Sequence, residues 1–307
     1  MWLESIPNIS EGKSSALVNS IAVAFTQEPS DLLLDIHLDP SHNRGVITAA
    51  ISPETLVNAC CNLVEQSCNV IDLRQHRGEH PRIGALDVLP FVPMEGLSHS
   101  DSIELIHLVA QEIAVRYSLP VFICGDPRSK NNKLQLTKLR KGGTASLEKR
   151  ISNGELKPDY GPSQLHATAG ATAISVRKYL IAFNVALKST NINVARIIAT
   201  KIRESSGGLR AVQAIPISLH HRGIVQVSMN LTNFKMTSIF SAFNAVRNLA
   251  VSLGVEIDHS EIVGLIPAAA SFNNMFEKLM LEKKPRILED RIEAARYAVI
   301  TNETAPN

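Results

Sequence analysis

Cysteine is scarce in this chain and poorly spaced for cross-linking. Cys60, Cys61, Cys68 and Cys124 contain no CxxC pair and belong to no small, loop-rich framework. They fit buried thiols in a reducing compartment better than a disulfide scaffold. Net charge is also nearly absent, at +2 over 307 residues. So small an excess argues against nucleic acid or a membrane surface as a partner, and any anionic ligand must be met locally. No stretch of about 18 apolar residues is present, so no membrane span is expected. The opening Met1-Trp2-Leu3-Glu4-Ser5 has no basic region followed by an apolar run, so no signal peptide is expected and the reading is cytoplasmic. Neither GxxxxGK[ST] nor a strand followed by GxGxxG occurs, which removes the common phosphate loops. HExxH is missing too. His76 and His80 are four apart, but Gly78 and Pro81 break the helix that such ligand spacing needs, so no metal is expected.

What the chain does have is length and an apolar fraction of 45%, enough for a sizeable core and two subdomains. Residues 17–25 and 53–66 have helical spacing, and residues 32–37 and 46–50 read as buried strands. Another strand is expected at Val70-Ile71-Asp72-Leu73, followed by a strand at 87–92, a helix at 100–117 and a strand at 121–124. From residue 179 the order is clearer: strand 179–187, helix 190–204 capped by Thr190 or Asn191, hairpin 211–219 and 224–230, helix 238–253, strand 261–266, then a helical tail. That order, β-α-β-β-α-β, is the split βαβ or ferredoxin-like unit, and the first half opens with the same order. The expected architecture is therefore α+β: two ferredoxin-like lobes, residues 1–178 and 179–307, with sheets facing each other across a ligand cleft and helices outside.

Two stretches stand apart from this scaffold. Residues 126–160 mix Lys130, Lys133, Lys138, Arg140, Lys141, Lys149 and Arg150 with Asn, Gly and Ser. They read either as an exposed, mobile insertion with a solvated basic face or as a cover over an acidic ligand. The other is the loop at 74–90, where Arg74, His76, Arg77, Glu79, His80 and Arg82 alternate with Gly78, Pro81 and Gly84 between apolar segments. Rigid scaffolds carry chemistry on such loops. A histidine near its ordinary pKa of about 6.5 both takes and gives a proton at neutral pH. Arg44, Arg74, Arg77 and Arg82 can clamp carboxylates through paired N–H groups. Each alone reads as a surface charge; together they favour an anionic small molecule.

These residues resemble a known family. Ser5-Ile6-Pro7-Asn8-Ile9-Ser10-Glu11-Gly12, Asn43-Arg44, Arg77-Gly78-Glu79-His80-Pro81-Arg82-Ile83-Gly84-Ala85-Leu86-Asp87, Pro158-Asp159-Tyr160-Gly161-Pro162 and Gln226-Val227-Ser228-Met229-Asn230-Leu231-Thr232-Asn233-Phe234 run in the order of the formiminotransferase domain, over nearly the whole chain. The GEHPR-x-GALD run is long and specific. The cyclodeaminase half that accompanies this domain in animals would need more chain. The resemblance implies a homodimer of two-lobed subunits with tetrahydrofolate held as co-substrate between lobes. It implies a catalytic His80 and a folate-binding stretch Gly161, Pro162, Ser163, Gln164, Leu165, His166, Ala167, Thr168, Ala169 and Gly170. Asn43, Arg44, Arg77, Glu79 and Arg82 are the expected carboxylate or substrate contacts. The implied reaction moves a formimino group from N-formimino-L-glutamate to N5 of tetrahydrofolate. A glutamate formyltransferase using N-formylglutamate or 5-formyltetrahydrofolate, and a folate-binding protein without turnover, are the alternatives. The chain departs from the family pattern at His37, at His166-Ala167 and at Ser175-Val176-Arg177.

Overall fold

The computed structural model describes every residue except 41, 78–81, 133, 220, 221 and 302–307. The chain is α+β and divides into two compact units. One comprises Met1–Arg177 together with the chain from Ala295 on, and the other Lys178–Ala294.

In the first unit β1 (Leu3–Ser5) and β2 (Asn8–Ile9) form one interrupted strand, broken at Pro7, and each piece pairs with both β4 and β5. Helix α1 (Ser15–Phe25) is capped by Ser14, whose hydroxyl accepts the Leu17 N–H. It leads into the hairpin β3 (Leu32–Asp39) and β4 (Arg44–Ile51), then α2 (Leu56–Val70) and β5 (Leu86–Pro93). The spatial order of these strands is β3-β4-β1/β2-β5. After α3 (His99–Tyr117), the strands β6 (Val121–Cys124) and β7 (Thr172–Val176) extend the sheet beyond β5, with β7 parallel to both of its neighbours. Helices α1, α2 and α3 bury one face of the sheet through Ile21, Phe25, Cys60, Leu63, Ile106 and Ile113.

The strand expected at 70–73 is not formed. Helix α2 continues through Val70, and residues 72–75 turn. The fourth strand of the unit is β5 instead. Ser67 explains the difference: it is fully buried on the apolar face and donates its hydroxyl to Leu63 O, so a polar residue prolongs the helical stripe.

The 126–160 stretch is not a bare mobile insertion. It carries α4 (Leu136–Leu139) and α5 (Gly143–Ser152), and Leu134, Leu139, Leu147, Ile151 and Leu156 pack on Phe122, Val88 and Ala173. They cover the second face of the parallel strands, which is why Val121–Cys124 is apolar at every position.

The second unit follows β8 (Ile181–Leu187), α6 (Ile192–Ile202, capped by Asn191), β9 (Val212–Leu219), β10 (Ile224–Leu231), α7 (Ile239–Ser252, capped by Ser238) and β11 (Ile257–Val263). Its antiparallel sheet has the order β11-β8-β10-β9 around Phe183, Phe243, Val227 and Ile198. The tail is helical only in part. The short pair β12 (Leu265–Ile266) and β13 (Arg286–Ile287) flanks α8 (Met275–Lys278), and α9 (Leu288–Thr301) follows. No described helix is long and apolar enough to cross a membrane.

Candidate active site

Four sequence-distant segments meet at the end of the first unit's sheet, and backbone contacts hold them. Gly84 bridges Gly170 in antiparallel fashion. The Ala85 N–H donates to Ala169 O at 2.9 Å and the Ala171 N–H to Ile83 O at 2.8 Å. A Cβ on Gly84 would stand 1.9 Å from Ala171 O, and one on Gly170 2.2 Å from Ile83 O, so both positions require glycine. Ser10 joins from β2, donating its N–H to Ala85 O and its hydroxyl to Gly84 O, both at 2.8 Å. Leu73 N–H donates to Thr168 O.

Asn43 is the second tie. It takes a left-handed conformation (φ 48°) in the β3–β4 turn, which asparagine tolerates better than most residues. Its side-chain oxygen accepts the Gly12 N–H and its amide donates to Arg77 O, each at 2.9 Å. Its carbonyl lies 2.9 Å from His76 Nε2. The 10–12 turn, the hairpin tip and the loop at 76–77 are thereby locked together. They line a polar cavity of about 490 Å³ that includes Ser10, Asn43, Asn69, Gln75, His76 and Thr168.

Charge collects beside it. Asp87 is buried, accepts the Ile83 N–H at 2.7 Å and is ion-paired with Arg140 from the end of α4. The same carboxylate acts on Arg44 and Arg82. Burial pulls both guanidiniums below the usual arginine value; Arg140 adds to this at Arg44, while Asp87 opposes it at both. Asp39 acts on Arg44 as well, so the three guanidiniums and these carboxylates form one charged group at the end of the sheet. Arg74 is different, being exposed and ion-paired with Asp72 at 2.7 Å.

The stretch 161–170 starts in solvent and ends in the core. Gly161, Pro162, Ser163, Gln164 and Ala167 are exposed, Leu165, His166 and Thr168 half-buried, and Ala169 and Gly170 buried. His166 closes the turn on itself: its Nδ1 accepts the Ala169 N–H at 3.0 Å, and its backbone pairs with Gly170 in both directions. The entry is fixed by Tyr160, whose hydroxyl is 2.8 Å from His107 Nδ1, and by Asp159, which accepts the Ile123 and Lys130 N–H groups.

Among the candidate residues, Asn43, Arg44, Arg82 and 168–170 are thus brought together, and Arg77 is on the rim with its guanidinium turned to Arg74 O and His76 O. Glu79 and His80, the candidate proton carrier, lie outside the described residues. Among the described residues no cluster of three or more His, Cys, Asp or Glu side chains could hold a metal. Ser10 and Arg140 were not singled out from sequence. Nothing distinguished Arg140 from six other basic residues nearby, whereas Ser10 stood inside a quoted motif and bore a readable signal.

The fold and this convergence define a polar, ligand-sized site on an α+β scaffold, and the chain belongs to the formiminotransferase family. The formiminotransferase domain, N-terminal subdomain, matches residues 2–177, and the formiminotransferase domain matches residues 182–299. The glutamate formimidoyltransferase of Streptococcus pyogenes serotype M1 is 38% identical over 268 residues, covering 87% of this chain and 90% of that protein. The protein of the same name from Thermoplasma acidophilum is 35% identical over 297 residues, covering 95% and 98%. The formimidoyltransferase-cyclodeaminase of Rattus norvegicus is 35% identical over 297 residues, covering 93% of this chain and 55% of that longer protein.

Proposed function

We infer that this chain is a folate-dependent glutamate formimidoyltransferase, moving the formimino group of N-formimino-L-glutamate to N5 of tetrahydrofolate and releasing L-glutamate. The observation that carries this reading is the convergence of the 82–87 run, the 166–171 turn, Ser10 and Asn43 beside one polar cavity, with the Arg82 guanidinium against His76 in its lining. Both substrates carry glutamate carboxylates, which arginines recognise. The amide and hydroxyl groups of Asn69, Gln75 and Thr168 suit the polar edge of a pterin. A two-lobed, ferredoxin-like architecture is supported by strand order. Numbering the strands of each βαββαβ set from one to four, with β1/β2 as the first strand of the first unit, both sets read 2-3-1-4.

In the reaction the N5 lone pair attacks the amidine carbon, forming one C–N bond. The bond from that carbon to the glutamate nitrogen then breaks, and that nitrogen must leave protonated. His80 is assigned the proton work: it takes the proton N5 loses and returns it to the leaving nitrogen. Such transfer contributes about 10²–10⁴-fold, and holding both substrates side by side supplies much of the remainder. Arg44 and Arg82 are assigned to carboxylates, and 161–170 to the folate.

The test incubates the protein with tetrahydrofolate and either N-formimino- or N-formyl-L-glutamate, acidifies, and reads methenyl-folate absorbance. Signal from the formimino donor, reduced about 10²–10⁴-fold in His80→Ala, is the expected result. Signal from the formyl donor alone moves the assignment to a formyltransferase. Folate binding without transfer from either donor overturns the catalytic reading.

A further inference from the structure

His76 Nε2 has two neighbours that make opposite demands. Asn43 O, 2.9 Å away, can only accept a hydrogen bond. Arg82 Nη1, 2.5 Å away, can only donate one. With the proton on Nε2, the ring donates to Asn43 and meets Arg82 donor to donor. With the proton on Nδ1, Nε2 accepts from Arg82, but its lone pair also faces the Asn43 carbonyl. So close an approach of two nitrogens needs one donor and one acceptor, which only the second arrangement supplies. Nδ1 is then a buried N–H with no partner among the described residues. Neither arrangement satisfies the ring, and a polar group with two comparably imperfect states works as a two-position element.

We propose that His76 is a positioning residue that latches Arg82, holding the guanidinium on Nε2 until a substrate carboxylate takes it. This rests on the reading of the site as one that binds glutamate carboxylates. On release the Nδ1 proton leaves to solvent and another enters at Nε2, which then donates to Asn43 O. The ring is neutral before and after. A ligand without a carboxylate gains nothing that offsets the lost latch, so the device selects for the acidic donor. His76 lines the cavity itself.

The tautomer can be read directly. Two-dimensional ¹H–¹⁵N spectra of the protein carrying ¹⁵N-histidine resolve each ring, and the signals lost in His76→Gln identify this one. The latch predicts a bare Nε2 in the free protein, and an Nε2–H both in Arg82→Met and in wild type saturated with L-glutamate. An Nε2–H already present in the free wild type overturns the latch. An unchanged tautomer with L-glutamate overturns the release. If the transfer assay is silent, the proposed reaction fails, while the comparison of free wild type with Arg82→Met still decides the latch.

His76→Gln separates this role from simple space filling. A glutamine amide offers its oxygen to Arg82 and its NH₂ to Asn43 at once, so it holds Arg82 without conflict. The donor KM then rises about tenfold, as expected when the competent state is less populated, with the change carried by KM rather than kcat. A donor KM equal to wild type in His76→Gln is the result of a merely structural histidine and overturns the latch.

Discussion

The Asp39 carboxylate closes β3 beside His42, with the ring nitrogen 2.5 Å from its oxygen. Burial pushes its pKa up, but hydrogen bonds from the His42 ring and backbone, aided by the charges of His42 and Arg44, outweigh this and bring it down to about 2. In the unfolded chain such a group titrates near 3.9. Between those values the unfolded state binds more protons, so the stability Asp39 contributes is complete above about pH 4 and is lost as pH falls towards 2. Allowing for its partial exposure, the contribution is on the order of 1 kcal/mol. Urea titrations at pH 5 and pH 2.5 check this: Asp39→Asn should lose less stability across that interval than wild type. The thiols behave in the opposite sense. Burial raises all four, Cys68 to about 11 and Cys124 to about 12. Native protein at pH 7.5 should therefore resist iodoacetamide, with four thiols alkylated only after denaturation, as counted by mass spectrometry. At this scale the sequence was partly legible. The density of His and Arg around Gly78 and Pro81 marks the loop without help. Arg140 is invisible because it meets Asp87 across 53 residues, and spacing carries no trace of such a pair.

At the scale of elements, the decisive contact is between two backbones. Gly84→Ala would drive Cβ into Ala171 O, from which it would stand 1.9 Å away, and rotating a side chain cannot relieve a clash with backbone. The expected cost is about 3 kcal/mol, read from the denaturant midpoint, with folate affinity falling alongside because the 166–171 turn must shift. Periodicity captured the long elements well: the helices at 100–117 and 238–253 and the βαββαβ order of the second half follow from apolar spacing and capping residues. It misread Val70-Ile71-Asp72-Leu73, because a short apolar run looks the same at the end of a helix as in a strand. Strand β7 also escaped notice: Thr172–Val176 reads as a continuation of the polar turn until the parallel partners β5 and β6 are known. The covering role of α4 and α5 was hidden for a related reason. Their three buried apolar residues, Leu139, Leu147 and Ile151, are spread among lysines, and only the sheet face reveals what they pack on.

At the scale of the whole chain, the two units differ in continuity. The second, Lys178–Ala294, is one uninterrupted stretch with its own buried cluster. Expressed alone, it should show antiparallel-sheet circular dichroism and a single cooperative unfolding transition. The first is closed by the end of α9, where Ala295 and Ala298 are buried and the Arg296 guanidinium sits 5.7 Å from the centre of the Trp2 ring. A fragment of residues 1–177 should therefore unfold at lower denaturant than the same unit within the full chain. Sequence alone gave no sign of this return, because the alanines that make it are ordinary surface-helix residues until their surroundings are known.

That return has a consequence for synthesis on the ribosome. The first unit emerges first, yet its final packing residues are translated only after the entire second unit. At about 5–20 residues per second, the interval is on the order of 10 s. Throughout it the nascent chain presents Trp2 without its closing partner, and a chaperone that recognises exposed aromatic surface has that window in which to act.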